Sequence, residues 1–299
     1  MADWNSTLKG FKNYLRLERS LSGNTVEAYL RDVEKLFQYT ETIGSKTADQ
    51  IETTDLRNFL AWVSGLGMLP PTQARVLSGV KAFYKYLMVE NMVQQDPSAL
   101  LESPRLARKL PDTLSIPDIN NLIGAIDLSK PEGMRNKAML EVLYGCGLRV
   151  SELINLKISN LYLAIEFLKV IGKGDKERLV PIGAEAIKYL GIYLNEHRVH
   201  LAIKSGKEDY VFLNRRGNPL SRVMVFLIIK ELADKINLKK NISPHTFRHS
   251  FATHLIEGGA DLRAVQEMLG HESITTTEIY THLDREYLHD TIIQYHPRS

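Results

Sequence analysis

The chain contains very little cysteine: its 299 residues include only Cys146. A single thiol cannot form an internal disulfide, and such sparse use is typical of a reducing compartment. Long apolar runs are also missing, because the longest, residues 223–229, is far shorter than the roughly 20 residues that span a bilayer. The N-terminus lacks the basic and then apolar pattern of a secretory signal peptide. These absences predict a cytoplasmic protein.

An excess of charge of one sign is absent as well. The chain has 38 Lys and Arg residues against 35 Asp and Glu residues, which gives a formal net charge of +3. This balance permits nucleic-acid binding without indicating it, since only a clustered basic face would do so. The sequence offers neither a carboxylate cluster suited to magnesium nor a Walker-type phosphate loop. We therefore expect no metal and no ATP, and no other cofactor.

The sequence does contain strong helical periodicity, and its apolar residues divide the chain into two domains. Residues 1–103 show four amphipathic stripes at helical spacing and no strand signal, which predicts a four-helix bundle. Thr72 is expected to begin the fourth helix, after the Gly- and Pro-containing stretch at residues 65–71. Residues 104–112 contain prolines and basic residues with little periodicity, which is typical of an extended linker. A second domain is then expected at residues 113–299.

The second domain is predicted to be mainly helical with a small sheet. Ser115 and Asp118 have the spacing of a capping box. Two strands are indicated on either side of a Gly-Lys-Gly turn, and a possible edge strand follows later in the chain. The strands are expected at residues 165–171 and 177–181, the turn at 172–176, the edge strand at 210–213, and helices at 135–144, 149–156, 184–200 and 221–236.

The segment that begins at Ser243 concentrates polar residues on short helices. Ser243 is a good N-cap and Pro244 suits the first helical position. His245 and Arg248, three residues apart, share a face of this helix. The apolar residues Phe247, Phe251 and Leu255 are expected to be buried on it.

Tight turns link the helices that follow this segment. Asp261 is expected to cap the next helix and Gly270 to end it. His271 follows at once, and Ser273 can cap a last short helix that carries Tyr280.

Upstream, Arg149 lies in the sequence GLRVSEL, and Glu152 follows three residues later, where it can brace an arginine or a histidine. A lysine at a glycine-rich hairpin tip, Lys173, lies between these residues and the later helices. Taken alone, each residue is more simply explained as surface, packing or capping. The full series, in chain order, is Arg149, Lys173, His245, Arg248, His271 and Tyr280.

Together these residues resemble the tyrosine recombinase (phage integrase) family, and within it the Xer subfamily. The motifs are GLRVSEL, GKGDK, HTFRHSFATH, LGH and IYTH, in that order over essentially the whole chain. The resemblance implies a SAM-like core-binding domain followed by a mixed α/β catalytic domain. It also implies a metal- and ATP-independent DNA strand transfer through a 3′-phosphotyrosyl intermediate and a Holliday junction.

The resemblance gives each candidate residue a role. Arg149 and Arg248 would grip the phosphate with their planar guanidinium groups. Tyr280 would be the nucleophile and Lys173 the general acid for the departing 5′ oxygen. His245 and His271 would bind the phosphate, and Glu152 would support the site.

Basic residues outside this constellation are candidate DNA contacts. By themselves they indicate only a solvated surface, but the resemblance implies a two-domain clamp around double-stranded DNA that carries a dif-like site. The same resemblance implies a XerC-like recombinase in a heterotetramer, activation by an FtsK-type translocase, and a terminal helix that docks into a neighbouring subunit. The candidate DNA contacts are Arg75, Lys81, Lys85, Arg105 and Arg108.

Several alternatives stay open at this stage. A phage or mobile-element integrase would share these motifs, and an architectural DNA-binding protein could keep the fold without cleaving. A type IB topoisomerase uses similar chemistry, but the small helical clamp and the terminal helix argue against it. A zinc site at His245, His249 and His254 is disfavoured because the three ring positions do not share one helix face and the metalloprotease pattern is missing.

Overall fold

The computed structural model describes residues 3–104, 113–270 and 282–299, without the side chains of Lys173, His282, Leu283 and Asp284. Within the chain there are two compact units, Met1–Lys109 and Leu110–Ser299. The predicted fold class is confirmed, because the elements are mainly helical and the second unit adds a small antiparallel sheet. In the described part of the chain, no helix combines the length and apolarity that crossing a membrane requires.

The first unit is the predicted helical bundle. Its fourth helix begins at Pro70 rather than at Thr72, because proline lacks only an N–H that the first turn does not use. A five-residue π-helical segment, Tyr14–Glu18, continues the first helix. The helices are α1 (Trp4–Asn13), α2 (Gly23–Thr42), α3 (Thr53–Gly65) and α4 (Pro70–Val89).

Aromatic side chains fill the centre of the first unit. The ring of Phe83 lies 5.3 Å from that of Phe11, edge to face, and 5.8 Å from that of Trp4. The predicted stripe residues Val26, Val33 and Phe59 are buried with them. This core includes residues of α4, the helix that carries the candidate DNA contacts Arg75, Lys81 and Lys85.

The second unit is built around one largely buried helix, whose residues Ala138, Leu140 and Leu143 are completely buried. The predicted capping box at Ser115 is present, since Asp118 accepts from the Ser115 backbone at 3.0 Å. The helices are α5 (Ile116–Gly124), α6 (Gly133–Gly145), α7 (Val150–Ile154), α8 (Ala184–Ile192), α9 (Arg222–Lys235), α10 (Pro244–Gly258), α11 (Leu262–Leu269) and α12 (His282–Tyr295).

The sheet of the second unit has three antiparallel strands, β1 (Leu161–Tyr162), β2 (Phe167–Ile171) and β3 (Glu177–Pro181). The two predicted strands are confirmed as β2 and β3, paired so that Ile171 lies opposite Glu177. The short strand β1 extends the sheet on the other side of β2.

The edge strand predicted at residues 210–213 is wrong. This segment forms only isolated bridges, one of them between Lys157 and Tyr210. Its carbonyl groups are occupied by a side chain instead, because Arg198 donates to the carbonyl oxygens of Tyr210 at 2.8 Å and Val211 at 3.3 Å. The apolar residues that suggested a strand are simply buried, as Val211 and Phe212 show with no exposed surface.

The terminal helix α12 packs against its own unit. Its residues Leu288 and Ile292 are buried, and the helix contacts α10, α11 and β3. The last residues are anchored too, because Arg298 donates to the buried carboxylate of Glu141 at 2.8 Å. Tyr287 and Ile293 of the same helix are exposed, and the docking into a neighbouring subunit that the resemblance implies stays a prediction.

Candidate active site

Arg149 and Glu152 meet at the start of α7. Arg149 is the N-cap residue, and its backbone N–H donates to Oε2 of Glu152 at 2.8 Å. Its guanidinium donates to Oε1 of the same carboxylate at 2.7 Å. The Arg149 side chain is 33% exposed while that of Glu152 is 2% exposed. The short helix therefore presents one arginine to solvent and anchors it on a buried carboxylate.

Arg248 approaches the same carboxylate from α10. Its Nη1 donates to the carbonyl oxygen of Gly147 at 2.7 Å and lies 3.8 Å from Oε2 of Glu152. Its Nη2 donates to the carbonyl oxygen of Leu269 at 2.5 Å. The predicted face of α10 thus carries Arg248 inward to the loop that precedes Arg149.

Arg178, on β3, is a third arginine at this point and was not among the residues predicted from the sequence. Its Nη1 and Nη2 donate to the two oxygens of Glu152 at 2.8 and 2.9 Å, a bidentate pair. Its Nε donates to the carbonyl oxygen of Met268 at 2.8 Å. A signal existed in the sequence, because strand alternation puts Arg178 on the same side of β3 as the buried Val180, an unusual place for a charge.

The C-terminal end of α11 receives all three arginines. Three successive carbonyl groups accept one donor each: Met268 from Arg178, Leu269 from Arg248, and Gly270 from Arg149 at 3.2 Å. A helix leaves its last carbonyls unpaired and carries partial negative charge there, so cations are stabilising at this end. These contacts fix the backbone immediately before His271.

Burial and charge shape the acid–base behaviour of this cluster. Burial alone would raise the pKa of Glu152, but the hydrogen bonds and charge of Arg178, followed by the hydrogen bonds of Arg149, hold that pKa below its usual value. Burial, followed by the charge of Arg149, lowers the pKa of Arg248 to about 10. Three positively charged guanidinium groups thus surround one ionised carboxylate. The cluster keeps a net positive charge, which favours the binding of an anion such as phosphate.

The lysine hairpin lies beside this cluster. The backbone N–H of Gly172 donates to the carbonyl oxygen of Lys176 at 2.8 Å and closes the predicted turn, and Gly174 has a φ of 74°. A Cβ atom at Gly172 would lie 3.6 Å from Nη1 of Arg178 and 3.7 Å from Oε1 of Glu152. The backbone of Lys173 is at the hairpin tip, while its side chain lies outside the described part.

The histidines of α10 take different positions. His245 is exposed in the first turn, one turn before Arg248. His249 is also exposed. His254 is buried, where its Nδ1 lies 2.7 Å from the hydroxyl of Tyr144, and burial lowers its pKa. His254 is therefore part of the interior packing, and His245 and His249 are the exposed histidines of this helix.

The remaining predicted site residues divide into described and undescribed positions. His271, Tyr280, Arg105 and Arg108 lie outside the described residues. In the first unit, Lys85 is exposed and Lys81 is half-buried. These two lysines stay candidates for DNA contact.

Arg75 has a structural partner. Its Nη1 lies 2.5 Å from Oδ2 of Asp32, a carboxylate with no exposed surface. Burial raises the pKa of Asp32 despite this pairing. Arg75 is exposed, but it also pairs with a buried carboxylate. This structural role is enough to explain the residue, so its charge alone does not indicate a DNA contact.

The similarity to known proteins extends over almost the whole chain. Residues 113–286 match the phage integrase family, and residues 8–91 match the phage integrase N-terminal SAM-like domain. The chain is 43% identical over 296 residues to the tyrosine recombinase XerD of Listeria innocua, covering 99% of this chain and all of that protein. It is 45% identical over 294 residues to XerD of Oceanobacillus iheyensis, covering 98% of each.

A solved structure shares the fold. The XerH site-specific recombinase bound to its palindromic difH substrate superposes with a TM-score of 0.73, at 23% identity, and the match covers 95% of this chain and 94% of that one. The family match and the relatives named XerD confirm the family resemblance predicted from the motifs. The chain belongs to the phage integrase family of tyrosine recombinases.

Proposed function

We propose that this protein is a site-specific recombinase that cuts and rejoins double-stranded DNA through a tyrosine. The observation that carries the proposal is the cluster of Glu152 with Arg149, Arg178 and Arg248, called the Glu152 cluster. In it, Arg149 and Arg248 both donate to backbone carbonyl groups just before His271. Such a cluster suits one backbone phosphate, because two planar guanidinium groups can each pair with phosphate oxygens. The membership of the family supports the same conclusion.

The proposed chemistry is a transesterification. The Tyr280 oxygen attacks phosphorus, a tyrosine–phosphorus bond forms, and the bond from phosphorus to the 5′ oxygen breaks. Lys173 gives a proton to that 5′ oxygen, while His245 or His271 accepts the tyrosine proton or holds a phosphate oxygen. Arg149 and Arg248 offset the charge that develops on the phosphoryl oxygens. Glu152 holds both arginines in position.

Religation reverses these steps with a different strand. The 5′ hydroxyl of a partner strand attacks the 3′-phosphotyrosine and releases Tyr280. The covalent bond conserves the phosphodiester energy, so the exchange needs no metal, no ATP and no other cofactor. Two such rounds pass through a Holliday junction.

Within this activity we propose a XerD-like role. The relatives named XerD are 43% and 45% identical to the chain at nearly full length, which supports that assignment over an unrelated mobile-element integrase. The role consists of resolving chromosome dimers at a dif-type site, with a XerC-like recombinase in a heterotetramer and an FtsK-type translocase. Since the substrate is chromosomal DNA before cell division, we place the protein in the cytoplasm.

Covalent trapping tests the proposal. A nicked suicide duplex with a dif-like site would be incubated with the protein in EDTA, without ATP, and resolved on a denaturing gel. We expect a covalent protein–DNA band that Tyr280→Phe abolishes. Tyr287→Phe is the matched control, because Tyr287 lies on α12 with its hydroxyl on Asp261, and it should keep the band.

The outcomes separate the candidate functions. No covalent band with wild-type protein, while the duplex is still bound in a gel shift, would favour a non-cleaving DNA-binding protein. A band that appears only on a site from a mobile element would favour an integrase. A band on the dif-like duplex that requires Tyr280 is the result the proposal predicts.

A further inference from the structure

We propose that Arg178 is a positioning residue for strand cleavage, acting through the lysine hairpin that precedes it. This inference rests on the proposed function, because it concerns the same cleavage step. It assigns to Arg178 the task of holding the hairpin base in register with the arginines that bind the phosphate. Arg178 itself is not proposed to touch DNA.

The contacts of Arg178 argue against direct binding of a substrate. Its side chain is 7% exposed, and each of its three nitrogens already donates to a protein oxygen, two to Glu152 and one to Met268. A guanidinium so enclosed has little surface left for a phosphate. By contrast, the Arg149 side chain on the same carboxylate is 33% exposed. Arg248 is only 10% exposed, but among the described residues it donates through Nη1 and Nη2 alone, whereas Arg178 uses all three nitrogens. The cluster thus contains an arginine that faces solvent and one that holds the others together.

Arg178 connects three elements at one point. It belongs to β3, it clamps Glu152 of α7, and it holds the last turn of α11 through Met268. A lysine or glutamine could satisfy part of this geometry, but only the planar fork of arginine reaches both carboxylate oxygens and a carbonyl together. The residue therefore sets the distance between the sheet and the phosphate-binding arginines.

The base of the hairpin lies close to this junction. A Cβ atom placed on Gly172, the residue immediately before Lys173, would lie 3.6 Å from Nη1 of Arg178. The turn is closed between Gly172 and Lys176, two residues before Arg178. Because the Arg178 guanidinium lies against Gly172, displacing it changes where the backbone of Lys173 starts. A general acid must lie within hydrogen-bond reach of the atom it protonates, so its rate is sensitive to such a shift.

Changing the leaving group of the DNA substrate distinguishes a role in positioning Lys173 from a role in stabilising the fold. In ordinary DNA the 5′ oxygen departs as an alkoxide and needs a proton. If sulfur replaces that bridging oxygen, the leaving group is a thiolate, which departs without one because thiols are far more acidic than alcohols. Cleavage of the sulfur substrate should therefore not depend on the position of Lys173.

The experiment compares single-turnover trapping on the two suicide duplexes, one with oxygen and one with bridging sulfur. The variants are Arg178→Lys, which keeps the charge, and Arg178→Gln. Glu177→Gln is the matched control, because Glu177 is the neighbouring residue on β3 and pairs only at the surface with Lys169 at 2.9 Å. Binding of the uncleaved duplex is measured in parallel by gel shift.

We expect both Arg178 variants to cleave the oxygen substrate about 100-fold more slowly while losing less than about 5-fold on the sulfur substrate. Duplex binding and the behaviour of Glu177→Gln should remain at the wild-type level. Equal losses on both substrates would overturn the proposal; a partly unfolded variant would give that result, since unfolding lowers both rates alike. Unchanged cleavage of the oxygen substrate would overturn it as well. If wild-type protein traps neither duplex, the proposed function fails first.

Discussion

Glu152 is the residue on which the site depends. It is almost fully buried, yet it carries a negative charge that three arginines share. Burying charges costs free energy, and the cost is offset only while every partner stays in place. Removing the carboxylate would leave Arg178 and Arg248 as buried, uncompensated cations.

We predict that Glu152→Ala lowers the free energy of unfolding by about 3–5 kcal/mol, the cost of breaking a buried ion pair. Urea denaturation followed by circular dichroism measures this difference. Glu177→Ala is the control, since its pair with Lys169 is exposed and such pairs contribute less than about 1 kcal/mol. Similar values for the two variants would show that the Glu152 cluster does not stabilise the fold.

At the scale of elements, the C-terminal end of α11 determines the geometry of the site. Gly270 ends the helix with a φ of 66°, the conformation that glycine adopts most readily. A Cβ atom there would lie 3.1 Å from Cδ of Arg178, so a side chain would push the arginine as well as strain the backbone. Helix ending and arginine placement are therefore coupled at this one residue.

We predict that Gly270→Ala lowers both stability and the rate of cleavage more than a glycine replacement that only strains the backbone. Gly206→Ala is the control, because Gly206 has a φ of 75° with nothing within 4 Å of its Cβ position. The control should lose about 1 kcal/mol of stability and keep cleavage. Gly270→Ala should lose more stability and slow covalent trapping at least about 10-fold. Equal effects in thermal melts and trapping would contradict the coupling.

The end of α12 makes a separate element-scale prediction. His296 is buried against the rings of Tyr144 and Phe251 and accepts a hydrogen bond from the backbone of Arg298 at 3.2 Å. Burial, with the nearby His254 and Arg298, lowers the pKa of His296 to about 3. The unfolded chain therefore binds a proton at this residue below pH 6.5 that the folded chain does not bind, so stability falls with acidification.

We predict that wild-type protein loses about 1 kcal/mol more stability than His296→Gln between pH 7.5 and pH 5.5. Glutamine keeps an acceptor near Arg298 and does not titrate. Urea denaturation of both proteins at the two pH values gives the comparison. A parallel pH dependence of the two proteins would show that His296 does not titrate on unfolding.

Sequence patterns predicted those features that depend on local chemistry. The capping box at Ser115 and the glycine end at Gly270 follow from residues close in sequence, and the structure has them. Asp261 also stands at the predicted N-cap position, but its side chain makes no capping hydrogen bond and accepts from the hydroxyl of Tyr287 instead. The prediction of an edge strand at residues 210–213 was wrong because Arg198 donates to the carbonyl groups of this segment. Arg198 lies 12 residues before Tyr210, so the local pattern of residues 210–213 does not reveal it. Arg178 was missed for a related reason: its partners Glu152 and Met268 are brought to it only by the fold.

At the scale of the whole molecule, DNA affinity has to come from local patches, since the net charge is only +3. Arg105 and Arg108 lie at the end of the first unit, just before its boundary at Lys109, and outside the described residues. We propose that residues 104–112 are a linker that joins a domain at residues 1–103 to a domain at residues 113–299, and that the basic side chains of this linker contact DNA phosphates. Each phosphate contact would release counterions and make binding depend on salt.

We predict that the double variant Arg105→Gln, Arg108→Gln reduces the slope of log affinity against log salt by about 2. Titrations of a labelled dif-like duplex at several salt concentrations measure the slope. Lys9→Gln with Lys12→Gln is the control, because these two substitutions remove the same total charge as the test variant, from exposed positions of α1. Equal changes in slope would mean that only total charge matters.

The most direct test of the central claim is to identify the atom that becomes joined to DNA. Trapped complex formed in EDTA without ATP would be digested with nuclease and protease, and the nucleotide-bearing peptide sequenced by mass spectrometry. We predict a nucleotide linked through its 3′ phosphate to Tyr280, and a free 5′ hydroxyl on the released strand that a kinase can label. A nucleotide on any other residue, or a free 3′ hydroxyl beside the cut, would contradict the account.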